Sequence, residues 1–133
     1  MIAEKQLIEV PGLFDSRPLG YEQCVAVGDL VFVAGQGGDL DERMQLVSAE
    51  FAPQARQALA NVRRALEAAG AAPADVTAVT VYLTDMANLR AFGAIKAELL
   101  PELRATSTAV EVSKLALPGM LVEVTVTAVR SRA

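Results

Sequence analysis

The residue whose setting most invites chemistry is Glu123. It stands in Val122-Glu123-Val124-Thr125-Val126, where apolar and polar residues alternate as in a half-buried strand. A carboxylate flanked by valines is partly desolvated, which raises its pKa and suits it to acid/base work. The plainer reading is an interface glutamate paired with a basic residue of a neighbour. Ser107 lies in the preceding alternating run, Ala105-Thr106-Ser107-Thr108-Ala109-Val110-Glu111-Val112. The chain has no histidine, so Ser107 lacks the usual base that makes a serine nucleophilic. It is either a hydrogen-bond donor to a ligand or a serine at a strand edge. Arg104, three residues upstream, points to the opposite face from Ser107 if both lie in one strand; a loop conformation would bring it back. Lys114 lies beyond the strand and reads as solvated. Glu111 alternates out of phase with Val110 and Val112, which puts it on the wetter face.

Tyr21 either lines a cleft or packs as a half-buried aromatic. Gly35-Gln36-Gly37-Gly38 ends a strand. A tight turn explains the glycines, and Gln36 reads first as structural. Cys24 is the only cysteine, so no intrachain disulfide forms. No cation or helix start is evident to activate it, which favours an inert core thiol. The absence of histidine also removes the commonest metal ligand. The acidic cluster Asp39-Leu40-Asp41-Glu42 lacks the glycine and terminal glutamate of a calcium loop and reads as a turn.

The elements that must position these residues can be laid out from the pattern. A short strand covers roughly residues 5–10. Runs at 22–27 and 30–34 flank Gly28-Asp29, a two-residue hairpin signal. Residues 44–47 form a short extension. Phe51, Ala55, Ala58, Leu59, Val62, Leu66 and Ala69 recur at helical spacing, with Pro53 in the first turn and Gly70 at the C-terminal cap. A strand over 75–83, a helix over 86–100 and two closing strands joined by a short loop complete the chain. The order β-β-β-α-β-α-β-β predicts an α+β domain, a mostly antiparallel sheet with two helices on one face. Val110, Val112, Val122, Val124, Val126 and Ala128 supply more apolar surface than one helical layer needs, which predicts an oligomer.

With 133 residues, 53% of them hydrophobic and 21% charged, residues 1–133 form one globular domain. The net charge of −4 and scattered basic residues argue against a nucleic-acid partner. Arg63-Arg64 reads as a solvated helix face. No apolar run approaches a membrane span, and the N-terminus has no secretory pattern. A cytoplasmic protein is expected.

Several segments together resemble the RidA/YjgF (L-PSP endoribonuclease-like) family of reactive intermediate deaminases. They are Gly20-Tyr21-Glu22-Gln23-Cys24-Val25, Leu30-Val31-Phe32-Val33-Ala34-Gly35-Gln36, the helix carrying Gln54, Ala58-Leu59, Asn61, Leu66 and Ala69-Gly70, Val79-Thr80-Val81-Tyr82-Leu83-Thr84-Asp85, and Val110-Glu111-Val112 with Val122-Glu123-Val124. The resemblance implies a chorismate-mutase-like fold, a homotrimer with a central barrel, and ligand clefts between subunits. It implies hydrolysis of enamines or imines to 2-keto acids and ammonia without metal or cofactor. It assigns Glu123 to placing water and Tyr21, Gly35 and Gln36 to the cleft. The family's substrate-binding arginine falls on Ser107, and an asparagine of the second helix falls on Gly93. A serine offers one neutral hydrogen bond where arginine offers a bidentate, charged clamp. The substrate expected is therefore not the usual carboxylated imine. The competing expectations are a non-catalytic trimeric metabolite binder and, with less physical support, an endoribonuclease or translation inhibitor.

Overall fold

The computed structural model describes residues 4–38 and 43–131. The acidic cluster at 39–42 lies outside them. The strands are β1 (Lys5–Ile8), β2 (Cys24–Val27), β3 (Leu30–Gly37), β4 (Val76–Leu83), β5 (Thr106–Glu111) and β6 (Val122–Val129). The helices are α1 (Phe51–Ala68) and α2 (Leu89–Leu99), with short 3-10 turns at Arg17–Leu19, Pro73–Asp75 and Met86–Asn88. Residues 44–47 contribute one isolated bridge at Leu46 in place of a strand.

The strands form one sheet in the order β1-β2-β3-β6-β4-β5. All pairs are antiparallel except β4–β5. That exception follows from connectivity, because α2 carries the chain back across the sheet between them. The two closing strands are not partners of each other. β4 lies between β5 and β6, so the short loop joining them spans a strand.

Helix α1 forms because its apolar residues fall on one face. Ala55, Ala58, Leu59, Val62, Ala65 and Leu66 are all buried. Gly70 follows it with φ of 73°, a left-handed conformation that residues with a Cβ adopt at a cost. Arg130 tightens this end by donating to Ala69 O at 2.7 Å and to Gly28 O at 2.8 Å. The inward face of the sheet supplies Val31, Val33, Val79, Val81, Val122, Val124, Val126 and Ala128, and α2 adds Phe92 and Ile95.

This layout corrects the basis for expecting an oligomer. Val122, Val124, Val126 and Ala128 are covered by the protein's own helices. The uncovered apolar surface comes instead from Leu7, Leu30, Phe32, Val110 and Val129, each more than one third exposed. The phase of β5 also differs from expectation. Ser107, Ala109 and Glu111 pair with Val79, Val81 and Leu83 on the helix side, while Val110 pairs with Tyr82 on the open side. As the edge strand, β5 reaches the margin of the helix layer. Ala105 and Ala109 fill the core there and Val110 is left outside. Among the described residues no helix is long and apolar enough to cross a membrane.

Candidate functional site

Glu123 lies on the open face of β6, opposite Tyr82 of β4 and Gly37 of β3. It is half-buried. Burial pushes its carboxyl above the usual carboxylate range. Among the described residues its carboxylate accepts no hydrogen bond and forms no ion pair. Space for it comes from Gly35. A Cβ at that position would lie 2.7 Å from Glu123 Cδ and 2.9 Å from Cγ, and would collide with Oε1. Gly35 thus makes room for the Glu123 side chain in its observed position, beyond the turn that the glycine cluster suggests.

The bulge between Val33 and Gln36 makes this contact possible. Two polar side chains hold it. Thr125 Oγ1 donates to Val33 O at 2.7 Å, and Gln36 Nε2 donates to Ala34 O at 3.0 Å. Gln36 Nε2 also donates to Gln23 Oε1 at 2.9 Å, and Gln23 Nε2 reaches Phe14 O at 3.3 Å. Both glutamines are buried. Gln36 therefore spends its amide shaping the strand that carries Gly35.

A second buried amide fixes the approach to β6. Gln54, fully buried on α1, donates to Ser48 O at 2.9 Å and Gly119 O at 3.0 Å. It accepts from Leu121 N at 2.8 Å. The backbone two residues before Glu123 is thereby tied to the helix layer. An open cleft of about 540 Å³ lies against this loop, lined by Thr84, Lys114, Leu115, Leu117, Met120 and Leu121. Glu123 is not part of its lining.

The other sequence candidates are dispersed. Ser107 is exposed on the helix side of edge strand β5, so it and Glu123 face opposite sides of one sheet. Arg104 is exposed in the loop before β5. Tyr21 is 41% exposed after the 3-10 turn, and Ser16 Oγ donates to its carbonyl at 2.7 Å. Glu111 is exposed and accepts from Met86 N at 2.8 Å at the start of the α2 region. Cys24 is buried on the helix side, and desolvation pushes its thiol up to about 11. Among the described residues no group of acidic or cysteine side chains is arranged to hold a metal. Sequence reasoning passed over Tyr82. Alternation with Val81 and Leu83 puts it on the outward face, but its pairing with Glu123 depends on β6 inserting beside β4.

The α+β sheet with two helices on one face agrees with the fold of related proteins. Residues 15–130 match the family described as Endoribonuclease L-PSP. A RutC family protein of Pyrococcus horikoshii is 38% identical over 100 residues, covering 74% of this chain and 79% of that protein. The 2-iminobutanoate/2-iminopropanoate deaminase of Salmonella typhimurium is 34% identical over 98 residues, covering 71% and 76%. The crystal structure of RidA from the Antarctic bacterium Psychrobacter superposes with a TM-score of 0.85 at 31% identity, covering 93% of this chain and 98% of that one. The chain belongs to the RidA/YjgF family.

Proposed function

We propose that this chain is a cytoplasmic, cofactor-independent enamine/imine deaminase working in clefts between the subunits of a homotrimer. Glu123 carries the reading. A half-buried carboxylate with no partner among the described residues and a raised pKa is poised to exchange a proton. Water adds to the carbon of the protonated imine as Glu123 takes one of its protons. Glu123 returns that proton to the nitrogen of the resulting carbinolamine, which leaves as ammonia while the hydroxyl gives up its proton and the carbonyl forms. One imine and one water give one ketone or aldehyde and one ammonia.

The placement of Ser107 supports a site shared between copies. One subunit presents Glu123 and Ser107 on opposite faces, so a ligand touching both must lie between two subunits. Pairing of the open faces into a barrel would cover Leu30 and Phe32, each 45% exposed. Tyr21 and Gly35 would line the cleft, and Arg104 is the nearest cation in sequence to Ser107. Serine in place of the arginine is also the observation that favours a second reading, a trimer that binds a metabolite without turnover.

A coupled assay separates the two. A pyridoxal-phosphate dehydratase generates the imine in place, and semicarbazide traps what remains. Glu123→Gln should lower turnover by on the order of 10²-fold or more, as expected for loss of a positioned proton-transfer group. Ser107→Arg should raise activity on carboxylated imines. Wild type inert toward every imine tried, with Ser107→Arg equally inert, would remove the deaminase reading and leave the binder.

A further inference from the structure

Among the described residues Glu123 has no counter-charge on its own face of β3, β6, β4 or β5; Lys5 lies on that face only at the far edge, on β1. Across the sheet its row reads Gly37, Glu123, Tyr82, Val110. The remaining open-face side chains of β3, β6, β4 and β5 are threonines and apolar groups, none of them charged. The carboxylate leans over Gly35 on the β3 side. On its β4 side stands Tyr82, half-buried and directly opposite in register. Side chains opposite one another in an antiparallel pair start about 4.5–5.5 Å apart at Cβ. Glu123 and Tyr82 nonetheless form no hydrogen bond with each other.

An unpaired carboxylate that is already partly desolvated gains strongly from an incoming cation. An aromatic face within about 6 Å of the same cation adds to the attraction, the more so away from water. A substrate carboxylate at this position would meet Glu123 with no positive group of the same face between them. We propose that Glu123 and Tyr82 together receive a cationic nitrogen, the protonated imine or ammonium group of a substrate that lacks an α-carboxylate. Tyr82 is then a specificity residue that contacts the substrate, with its ring as the wall opposite the carboxylate. The hydrolytic half of this assignment rests on the deaminase reading, and the binding half stands independently of it.

Two imines and one amine test it. An amine oxidase acting on benzylamine supplies an imine without a carboxylate. An amino-acid oxidase acting on alanine supplies 2-iminopropanoate. Wild type should clear the benzylamine-derived imine at least tenfold faster. Tyr82→Ala and Tyr82→Leu should each raise KM for it severalfold, and Tyr82→Phe, which keeps the aromatic face, should stay near wild type. Tyr82→Leu retains bulk on the strand if the alanine variant fails to fold. Preference for 2-iminopropanoate, or a Tyr82→Leu variant with unchanged KM, overturns the proposal. Calorimetric titration with benzylammonium supplies the second readout, with weaker binding expected for both Glu123→Gln and Tyr82→Leu. If neither imine is turned over but benzylammonium binding depends on both residues, the deaminase reading falls and the cation site stands. If wild type does not bind benzylammonium, the cation site falls whichever imine is hydrolysed.

Discussion

The two faces of the sheet treat polar groups in opposite ways. On the helix side Gln36, Gln54 and Asn61 are buried, as is Gln23 beside Gln36, and every one is hydrogen-bonded. No buried side-chain nitrogen or oxygen among the described residues lacks a partner. On the open side Glu123 is half-buried and, among the described residues, unpaired. Buried polar groups that serve the fold are satisfied, because leaving one unmade costs about 1–3 kcal/mol. A carboxylate that forgoes such satisfaction is available to a group outside the subunit. The helix side is therefore where stability is concentrated, and the open side is where the proposed binding partners would be met.

Substitutions can break this contrast. The largest effect on folding should come from the helix side. Leu66→Ala, at a fully buried position, should lower unfolding free energy by about 2–5 kcal/mol in a denaturant melt. Phe32→Ala on the open side should act on assembly instead, shifting light scattering toward lower mass. A wild type that already scatters as a monomer would sink the proposed trimer. Gly35→Ala sharpens the contrast. The new Cβ must displace the end of the Glu123 side chain, so turnover should fall on the order of 10²-fold while the melt barely moves. A large loss of stability would mean that Gly35 serves the fold alone.

Gln54→Leu leaves Ser48 O, Gly119 O and Leu121 N without their partner. It should cost on the order of 1–3 kcal/mol. The smallest effect concerns pH. Because burial raises the pKa of Glu123, the folded chain holds that proton more tightly than the unfolded chain does. The stabilisation is complete below the usual value of 4.5 and fades as pH climbs through the raised one. Glu123→Gln should therefore melt with wild type near pH 4 and slightly above it near pH 8. Equal melting temperatures across that range would show that Glu123 is not desolvated in the assembled protein.

The sequence made the local elements readable and left their lateral arrangement hidden. Helical spacing in Phe51 to Ala69 locates α1 to within a residue, and Gly70 marks its end. Alternation in Val122 to Val126 identifies a strand, and Glu123 as its odd member. Alternation cannot say which strand lies beside which. Val122, Val124 and Val126 look like surplus apolar surface until β6 is seen beneath α1. Ser107 and Glu123 look like neighbours until β4 is seen between their strands. The family resemblance correctly points to the fold. The role of Gly35 as space for a carboxylate depends on a bulge that no local pattern announces.

The insertion of β6 between β3 and β4 has a consequence in time. One of the two central strands of the sheet follows every other strand in the chain, and Leu30, already paired with Val27, must wait for Val129 on its other side. β4 and β5 cannot join β1–β3 in one sheet until that last segment emerges, so the subunit cannot complete its fold during synthesis of its first two thirds. Such late, long-range pairing slows folding and leaves strand edges open meanwhile. Glu123 rides on that final strand. A nascent or truncated chain thus has no Glu123 in place, and the proposed chemistry would begin only when folding has ended.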